Sequence, residues 1–278
     1  MILTRKQYIV LLITLCIMVC FLVIKNPSTV TAQSTTSTTQ PSLAPVVITS
    51  STSQKQYEYL EITEGCDTYA EMVCVSVHAG PGAEYEKIYE LRKGMLLKIK
   101  STELRNGQVW YQIYFDEWLR FPGRVEGDWY IPAVAGKVIT AGGQELLTPS
   151  TPTTSKRIVI DLSDHMLYAY NGNIEFMRTK ISTGVEATPT PAGTFTVYKK
   201  TPSRYMQGPL EGVTEIPFDL PGVPWNLHFT QDGAVIHGTY WHDRYGTDQS
   251  SGCINLPAEL SKIIYDWAPL GTTVTIQK

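Results

Sequence analysis

The chain has 278 residues, of which 43% are hydrophobic, 18% charged and 10% aromatic. This is the composition of a globular protein with one or two domains, and it excludes a wholly disordered or fibrous chain. The 23 basic and 26 acidic residues give a formal net charge of −3, so there is no basic footprint and no nucleic-acid partner is expected. The 17 prolines and 21 glycines indicate many turns and short strands.

Residues 1–33 are predicted to direct export. Arg5 and Lys6 precede an apolar run from Tyr8 to Ile24, which Lys25 closes. Positive charge ahead of an apolar segment keeps the N-terminus inside and sends the following chain across the membrane. The run is near the lower length limit for spanning a bilayer, so both a cleaved signal peptide and a retained membrane anchor remain open. Either way the remaining chain is expected to be extracytoplasmic, membrane-anchored or secreted.

Two segments rich in Ser, Thr and Pro, residues 34–56 and 148–155, are predicted linkers. They have no apolar face to offset the entropy lost on ordering. They delimit two folded regions, residues 57–147 and 156–278.

The first folded region alternates short apolar stretches with turn signals. Asn106-Gly107 is a hairpin signal ahead of an apolar stretch that contains Trp110-Tyr111. Together with residues 75–82 (VSVHAGPG) and 129–131 (WYI), these features resemble bacterial Src-homology-3-like domains. The resemblance implies a small β-barrel that binds cell-wall peptides or acts as a spacer. His78 stands where those domains usually carry Arg.

The second region is predicted to be mostly antiparallel β-sheet with one helix. Alternating apolar residues indicate a series of short strands, and residues 272–277 form the closing strand. Pro257 suits the first position of a helix that extends to Trp267. Its apolar positions, among them Ile263 and Ile264, follow helical spacing and predict packing against the sheet.

Cysteine usage singles out one residue. Of five cysteines, three lie in the exported part of the chain. Cys66 and Cys74 flank a short loop and are a candidate disulfide. Cys253 is then a lone thiol in an oxidising compartment, either an inert core residue or a reactive one.

The surroundings of Cys253 favour reactivity. It precedes the predicted helix, whose N-terminus favours a thiolate, and Gly252 lets a substrate approach the backbone. The amides of Gly252 and Cys253 are candidate oxyanion donors. His237 ends a predicted strand, and a Cys/His pair is the minimum set for acyl transfer.

The motif around these residues resembles the catalytic domain of bacterial L,D-transpeptidases. It consists of His237-Gly238 followed by residues 250–255 (SSGCIN), and upstream segments such as residues 188–195 (TPTPAGTF) match as well. The resemblance covers nearly the whole second region and implies a β-rich sandwich. Ser251 stands where the family pattern has a His that supports the site, which puts the rate of reaction in question. By this resemblance Ser251 and Gly238 are assigned supporting roles in the cysteine loop and beside His237.

The resemblance implies a mechanism and a substrate. Cys253 attacks the L,D bond of a peptidoglycan stem tetrapeptide, His237 is the base, and an amine of a neighbouring stem resolves the thioester. Asn255 is expected to brace the cysteine loop, and Tyr240 and Trp241 to line the substrate channel. His242 either replaces the missing motif His or is a partly exposed loop residue.

Three alternatives stay open. Water in place of the acceptor amine makes the enzyme an L,D-carboxypeptidase. The chain could also be an inactive wall-binding protein, or a cysteine hydrolase of other peptides. No metal or other cofactor is expected, because the histidines lack a metal-binding pattern.

Overall fold

Strands supply nearly all of the regular structure. The computed structural model describes residues 55–66, 74–125, 127–151, 153–212 and 214–278. The predicted export segment, residues 1–33, and all but the last two residues of the predicted linker 34–56 lie outside the described residues. Within the described ranges, no helix is both long and apolar enough to cross a membrane.

The first region forms a seven-stranded sheet. Its strands are, in chain order, β1 (Gln56–Ile62), β2 (Ser76–His78), β3 (Lys87–Glu90), β4 (Leu96–Arg105), β5 (Gln108–Ile113), β6 (Trp129–Pro132) and β7 (Gly136–Gly142). Their spatial order is β3-β2-β6-β5-β4-β1-β7. The hairpin between β4 and β5 turns at Asn106 and Gly107, whose φ angles of 50° and 75° are those of the tight turn that this dipeptide favours. The resemblance to Src-homology-3-like domains stays a prediction.

One short strand, at residues 145–146, falls within the predicted first region but pairs with the second. This strand and the elements of the second region complete the fold. They are β8 (Glu145–Leu146), β9 (Lys156–Asp161), β10 (Met166–Asn171), β11 (Ile174–Lys180), β12 (Thr183–Gly184), β13 (Gly193–Thr196), β14 (Lys199–Leu210), β15 (Thr214–His228), β16 (Val235–Thr239), β17 (Asp248–Ser250), β18 (Ile254–Pro257), α1 (Ala258–Trp267) and β19 (Thr273–Gln277).

These strands form two five-stranded sheets, ordered β11-β10-β9-β19-β13 and β18-β16-β15-β14-β8, and β12 pairs with β17. Burial alternates along β9, where Ile158 and Ile160 are fully buried, as expected of a strand with one face in the core. Helix α1 contacts β15, β16 and β18. It buries Ile264 and Trp267, whereas Ile263, which the sequence also assigned to the packed face, is 45% exposed.

The predicted fold class, mainly β with one helix near the C-terminus, is therefore confirmed for the described ranges. The longest feature was not predicted. It is the hairpin of β14 and β15, which pair antiparallel from Lys199 opposite His228 to Leu210 opposite Thr214.

The two regions share their hydrophobic cores. The core of the second region includes Tyr59 and Leu96 of the first. The core of the first region includes Val223 and Tyr240 of the second. All described residues belong to one compact unit, so the boundaries drawn at residues 147 and 156 stay predictions.

The candidate disulfide lies at the edge of the first region. Cys66 and Cys74 are joined, with their Cα atoms 4.8 Å apart. Cys66 also forms a β-bridge with Arg92.

Candidate active site

Two neighbouring parallel strands bring Cys253 and His237 together. On β16 and β18, His237 lies opposite Asn255. Cys253 is two residues before Asn255, and alternate residues of an extended chain point to the same side. His237, Cys253 and Asn255 all line one cleft of about 640 Å³. The sequence motif and the strand pairing thus place a thiol and an imidazole at one surface.

The imidazole of His237 is buried, with 1% of its surface exposed. Its Nδ1 lies 2.9 Å from the carbonyl oxygen of Gly238, to which it donates. Its Nε2 accepts from Nδ2 of Asn255 at 2.9 Å. Burial lowers the pKa of His237 to about 4, although the Gly238 carbonyl opposes this shift. At neutral pH this ring is therefore uncharged and carries its proton on Nδ1.

Cys253 is a half-buried free thiol. Its Sγ lies 4.0 Å from the carbonyl oxygen of Gly233. Burial raises the thiol pKa, while a hydrogen bond from the Val235 backbone and the positive charge of Arg204 lower it in part. The resting pair is thus a neutral thiol beside a neutral imidazole.

This differs from the lowered thiol pKa that the sequence suggested. The reason is that β18 separates Cys253 from α1. Four residues of strand span about 13 Å, and a helix terminus acts mainly within its first turn. The helix therefore does little to stabilise the thiolate.

Ser250 fixes the backbone of the cysteine loop. Its hydroxyl donates to the carbonyl of Cys253 at 2.6 Å and accepts from the amide of Gly252 at 3.2 Å. Gly252 has a φ of +103°, which strongly favours glycine. Ser251 is exposed, and its hydroxyl bonds to no described residue. The sequence had assigned loop support to Ser251, whereas the adjacent Ser250 makes these contacts.

Asn255 joins two histidines. Its Oδ1 accepts from Nε2 of His242 at 3.1 Å and from the hydroxyl of Ser182 at 3.3 Å, while its Nδ2 donates to His237. His242 is buried, with 8% of its surface exposed, so it is not the partly exposed loop residue that the sequence favoured. Its Nδ1 is buried and has no partner among the described residues.

Three further predicted site residues have distinct surroundings. Tyr240 is a core residue whose hydroxyl donates to Pro221 at 2.7 Å, and it does not line the cleft. Trp241 does line the cleft, with its ring 5.8 Å from that of His237. Gly238 lies against α1, where an added Cβ would come within 2.4 Å of Ser261. Gly238 therefore serves close packing and offers its carbonyl to His237.

The cleft also contains charged side chains that the sequence did not single out. Arg204 of β14 and Arg120, from the segment between β5 and β6, both line it, as does Asp232. Arg204 is half-buried, and its side chain makes no ion pair or hydrogen bond with any described residue. No local pattern marks such a residue, because its place depends on the long hairpin.

One group of potential metal ligands occurs in the described ranges, formed by Cys66, Cys74 and Glu90. Its two sulfur atoms are joined in the disulfide, so they are not available as thiolates, which are the form that binds metals. His237 is engaged by Asn255 and by the Gly238 carbonyl, and His242 by Asn255.

Comparison with known proteins relates this geometry to a family. Residues 155–276 match the family model of the YkuD L,D-transpeptidase catalytic domain. An Enterococcus faecium L,D-transpeptidase, solved as a cysteine-to-serine mutant, is 28% identical over 50% of this chain and 55% of its own, with a TM-score of 0.41. This chain thus spans about half the length of that protein. The E. faecium catalytic domain alone is 30% identical over 44% of this chain and 96% of its own, with a TM-score of 0.40.

A Mycobacterium smegmatis L,D-transpeptidase is 19% identical over 62% of this chain and 91% of its own, with a TM-score of 0.42. No curated protein matches the sequence.

Proposed function

Because residues 155–276 belong to the YkuD family of L,D-transpeptidase catalytic domains, we propose that this protein is a peptidoglycan L,D-transpeptidase with Cys253 as nucleophile and His237 as general base. The observation that carries the proposal is that Cys253, directly before β18, and His237, on the parallel neighbour β16, line the same cleft. Its substrate is a stem tetrapeptide of the cell wall. It acts outside the cytoplasm, attached through its N-terminal segment or secreted.

The first half of the reaction forms a thioester. The thiol proton of Cys253 moves to Nε2 of His237, which exchanges its hydrogen bond from Asn255 for one from the thiol. The sulfur attacks the carbonyl carbon of the third stem residue, and negative charge develops on the carbonyl oxygen. We assign stabilisation of that oxygen to the backbone amide of Cys253, because the Gly252 amide is already engaged by Ser250.

The second half regenerates the enzyme. The imidazolium of His237 gives its proton to the departing amine, the C–N bond breaks, and the terminal D-amino acid leaves. An amine of a neighbouring stem then attacks the thioester and loses a proton to His237. The C–S bond breaks, and the proton returns to the Cys253 sulfur. The product is a cross-link between two stems.

A neutral resting pair suits this sequence of steps. A thiolate and an imidazolium, each poorly solvated in a buried site, would cost more than the neutral pair. The pair separates charge only when the developing oxyanion and the bound peptide are present to stabilise it. The His237 ring is oriented by Asn255, which in turn accepts hydrogen bonds from Ser182 and His242.

The proposal is tested with full-length protein in mild detergent, incubated with disaccharide tetrapeptides and followed by mass spectrometry. Cys253→Ala is the inactive variant, and Ser155→Ala, which removes an exposed hydroxyl outside the cleft, is the matched control. Release of the terminal D-amino acid together with dimers, lost only in Cys253→Ala, supports transpeptidation. Release without dimers would replace it with L,D-carboxypeptidase activity. No turnover and no thioester adduct on Cys253 would leave a wall-binding protein.

A further inference from the structure

The cleft beside Cys253 has an excess of positive charge. Arg204 and Arg120 line it, against a single carboxylate, that of Asp232. Arg204 is half-buried and has neither an ion-pair nor a hydrogen-bond partner in the described part of the chain. A guanidinium that is partly withdrawn from water without a partner favours an anionic ligand, and its planar fork suits a carboxylate.

The charge of Arg204 acts on the reacting groups. It lowers the pKa of the Cys253 thiol and that of His237. The acid beside it, Glu117, is not within ion-pair distance, and burial raises the pKa of Glu117 to about 7. That carboxyl is therefore only partly ionised near neutral pH, and the positive field of Arg204 extends into the cleft.

The first region supplies the second cation. Arg120 is exposed and its guanidinium lies 5.8 Å from the ring centroid of Trp118, another cleft residue. The next residue, Phe121, holds this segment against β14. Its amide donates to Oε1 of Gln207 at 2.8 Å, and its carbonyl accepts from Nε2 of Gln207 at 3.0 Å. One wall of the cleft thus comes from outside the residues that match the family.

We propose that Arg204 and Arg120 form a carboxylate-binding site for the donor peptide. Arg204 binds the free carboxylate of the residue that leaves, and Arg120 binds a carboxylate farther along the stem. The identification of the ligand as a stem peptide rests on the function proposed above. The existence of an anion-binding site in the cleft next to the thiol does not depend on that function.

The first test needs no peptidoglycan chemistry. Cys253 in the full-length protein is alkylated with iodoacetate, an anion, and with iodoacetamide, its neutral analogue, and the peptide containing Cys253 is quantified by mass spectrometry. We expect Arg204→Gln to lower the ratio of the iodoacetate rate to the iodoacetamide rate by about tenfold. This change corresponds to about 1.4 kcal/mol of charge interaction. Arg204→Lys should keep most of the ratio. Arg178→Gln, on β11 and outside the cleft, should not change it. An unchanged ratio in Arg204→Gln overturns the proposal.

The second test uses tetrapeptide stems whose terminal carboxylate is either free or amidated. We expect the wild type to prefer the free acid, and Arg204→Gln to raise KM for the free acid by about tenfold while leaving the amide unchanged, as for a lost binding contact. Arg120→Gln should raise KM for both stems alike, because both keep the carboxylate that Arg120 binds. Equal use of both stems by the wild type contradicts the proposal. Absence of any turnover would instead count against the proposed function, and the alkylation ratio would still decide whether the anion site exists.

Discussion

Nδ2 of Asn255 donates a hydrogen bond to Nε2 of His237 over 2.9 Å, and this occupies the nitrogen that accepts the thiol proton in the mechanism proposed above. The opposite side of the same amide, Oδ1, accepts from His242. Asn255 therefore sets the tautomer of both rings, since it presents a donor to one and an acceptor to the other. In the resting site, His237 is held as a base that is oriented but not yet engaged with the thiol.

Replacing Asn255 by Asp should shift the pH dependence of the reaction. A carboxylate between two histidines favours their protonated forms. The wild-type acid limb of kcat/KM is expected near pH 4, the pKa to which burial lowers His237, because the base is lost as pH falls through that value. In Asn255→Asp the limb should move upward by about 1–2 units. The pH profile of stem-peptide acylation measures this.

The control for that experiment is Asn173→Asp, which adds the same charge to an exposed turn. This control should leave the acid limb of kcat/KM at the wild-type pH. If the acid limb of kcat/KM lies at the same pH in Asn255→Asp and in the wild type, Asn255 does not govern the protonation of His237.

The Cys253 thiol should titrate as a protonated group at neutral pH. Burial raises its pKa above the ordinary value for a thiol, so its iodoacetamide alkylation rate should keep rising through pH 9. A free thiol such as N-acetylcysteine should approach its plateau at lower pH, since an unperturbed Cys has a pKa of about 8.5. Rates on the Cys253 peptide are measured between pH 5 and pH 10, a range chosen to bracket that value.

A rate plateau below pH 7 that disappears in His237→Ala would contradict this prediction, because it would reveal a thiolate–imidazolium pair. Parallel curves for the wild type and His237→Ala agree with a neutral resting pair.

Several of these features could be predicted from sequence and others could not. The turn at Asn106-Gly107, helix α1 and the Cys253 motif depend on residues near one another in the chain. The β14–β15 hairpin carries prolines within both strands, among them Pro202 and Pro224, and proline within a run argues against a strand because it cannot donate to the ladder.

Because the β14–β15 hairpin was not predicted, the cleft residues that depend on it were not predicted either. Arg204 faces the cleft only because β14 crosses it, and Arg120 only because the first region packs on β14. His242 is buried because Asn255, thirteen positions away, offers it an acceptor. Such long-range contacts leave no local periodicity in the sequence.

Glu117 should make stability depend on pH near neutrality. One carboxylate oxygen accepts from the amide of Tyr205 at 2.8 Å, and burial raises the Glu117 pKa from 4.5 to about 7. The folded state therefore binds a proton that the unfolded state has released, and stability falls as pH rises from 4.5 to about 7. Glu117→Gln keeps the acceptor but cannot ionise. It should match the wild type below pH 4.5 and exceed it by up to about 3 kcal/mol above pH 7.

Chemical denaturation at several pH values measures this difference, with Glu58→Gln, an exposed glutamate on β1, as the control. The control should show no such pH-dependent gain. A Glu117→Gln variant that is less stable than the wild type at pH 8 would show that the ionised carboxylate contributes favourably at this site.

Gln207 should couple the first region to catalysis. Its buried side chain makes two hydrogen bonds to the backbone of Phe121 and a third to Asp219 at 2.8 Å. Gln207→Ala removes the acceptor of the half-buried Phe121 amide, whereas the Phe121 carbonyl and Asp219 keep their bonds to Arg124, so the expected loss in the free energy of unfolding is about 1 kcal/mol. It also releases the segment that carries Trp118 and Arg120. We therefore expect KM for the stem peptide to rise severalfold while iodoacetamide alkylation of Cys253 stays at the wild-type rate. Gln108→Ala on the exposed face of β5 is the matched control and should change neither quantity. A rise in KM shared by both variants, or a parallel loss of thiol reactivity in Gln207→Ala, would indicate a general loosening of the fold rather than a displaced cleft wall.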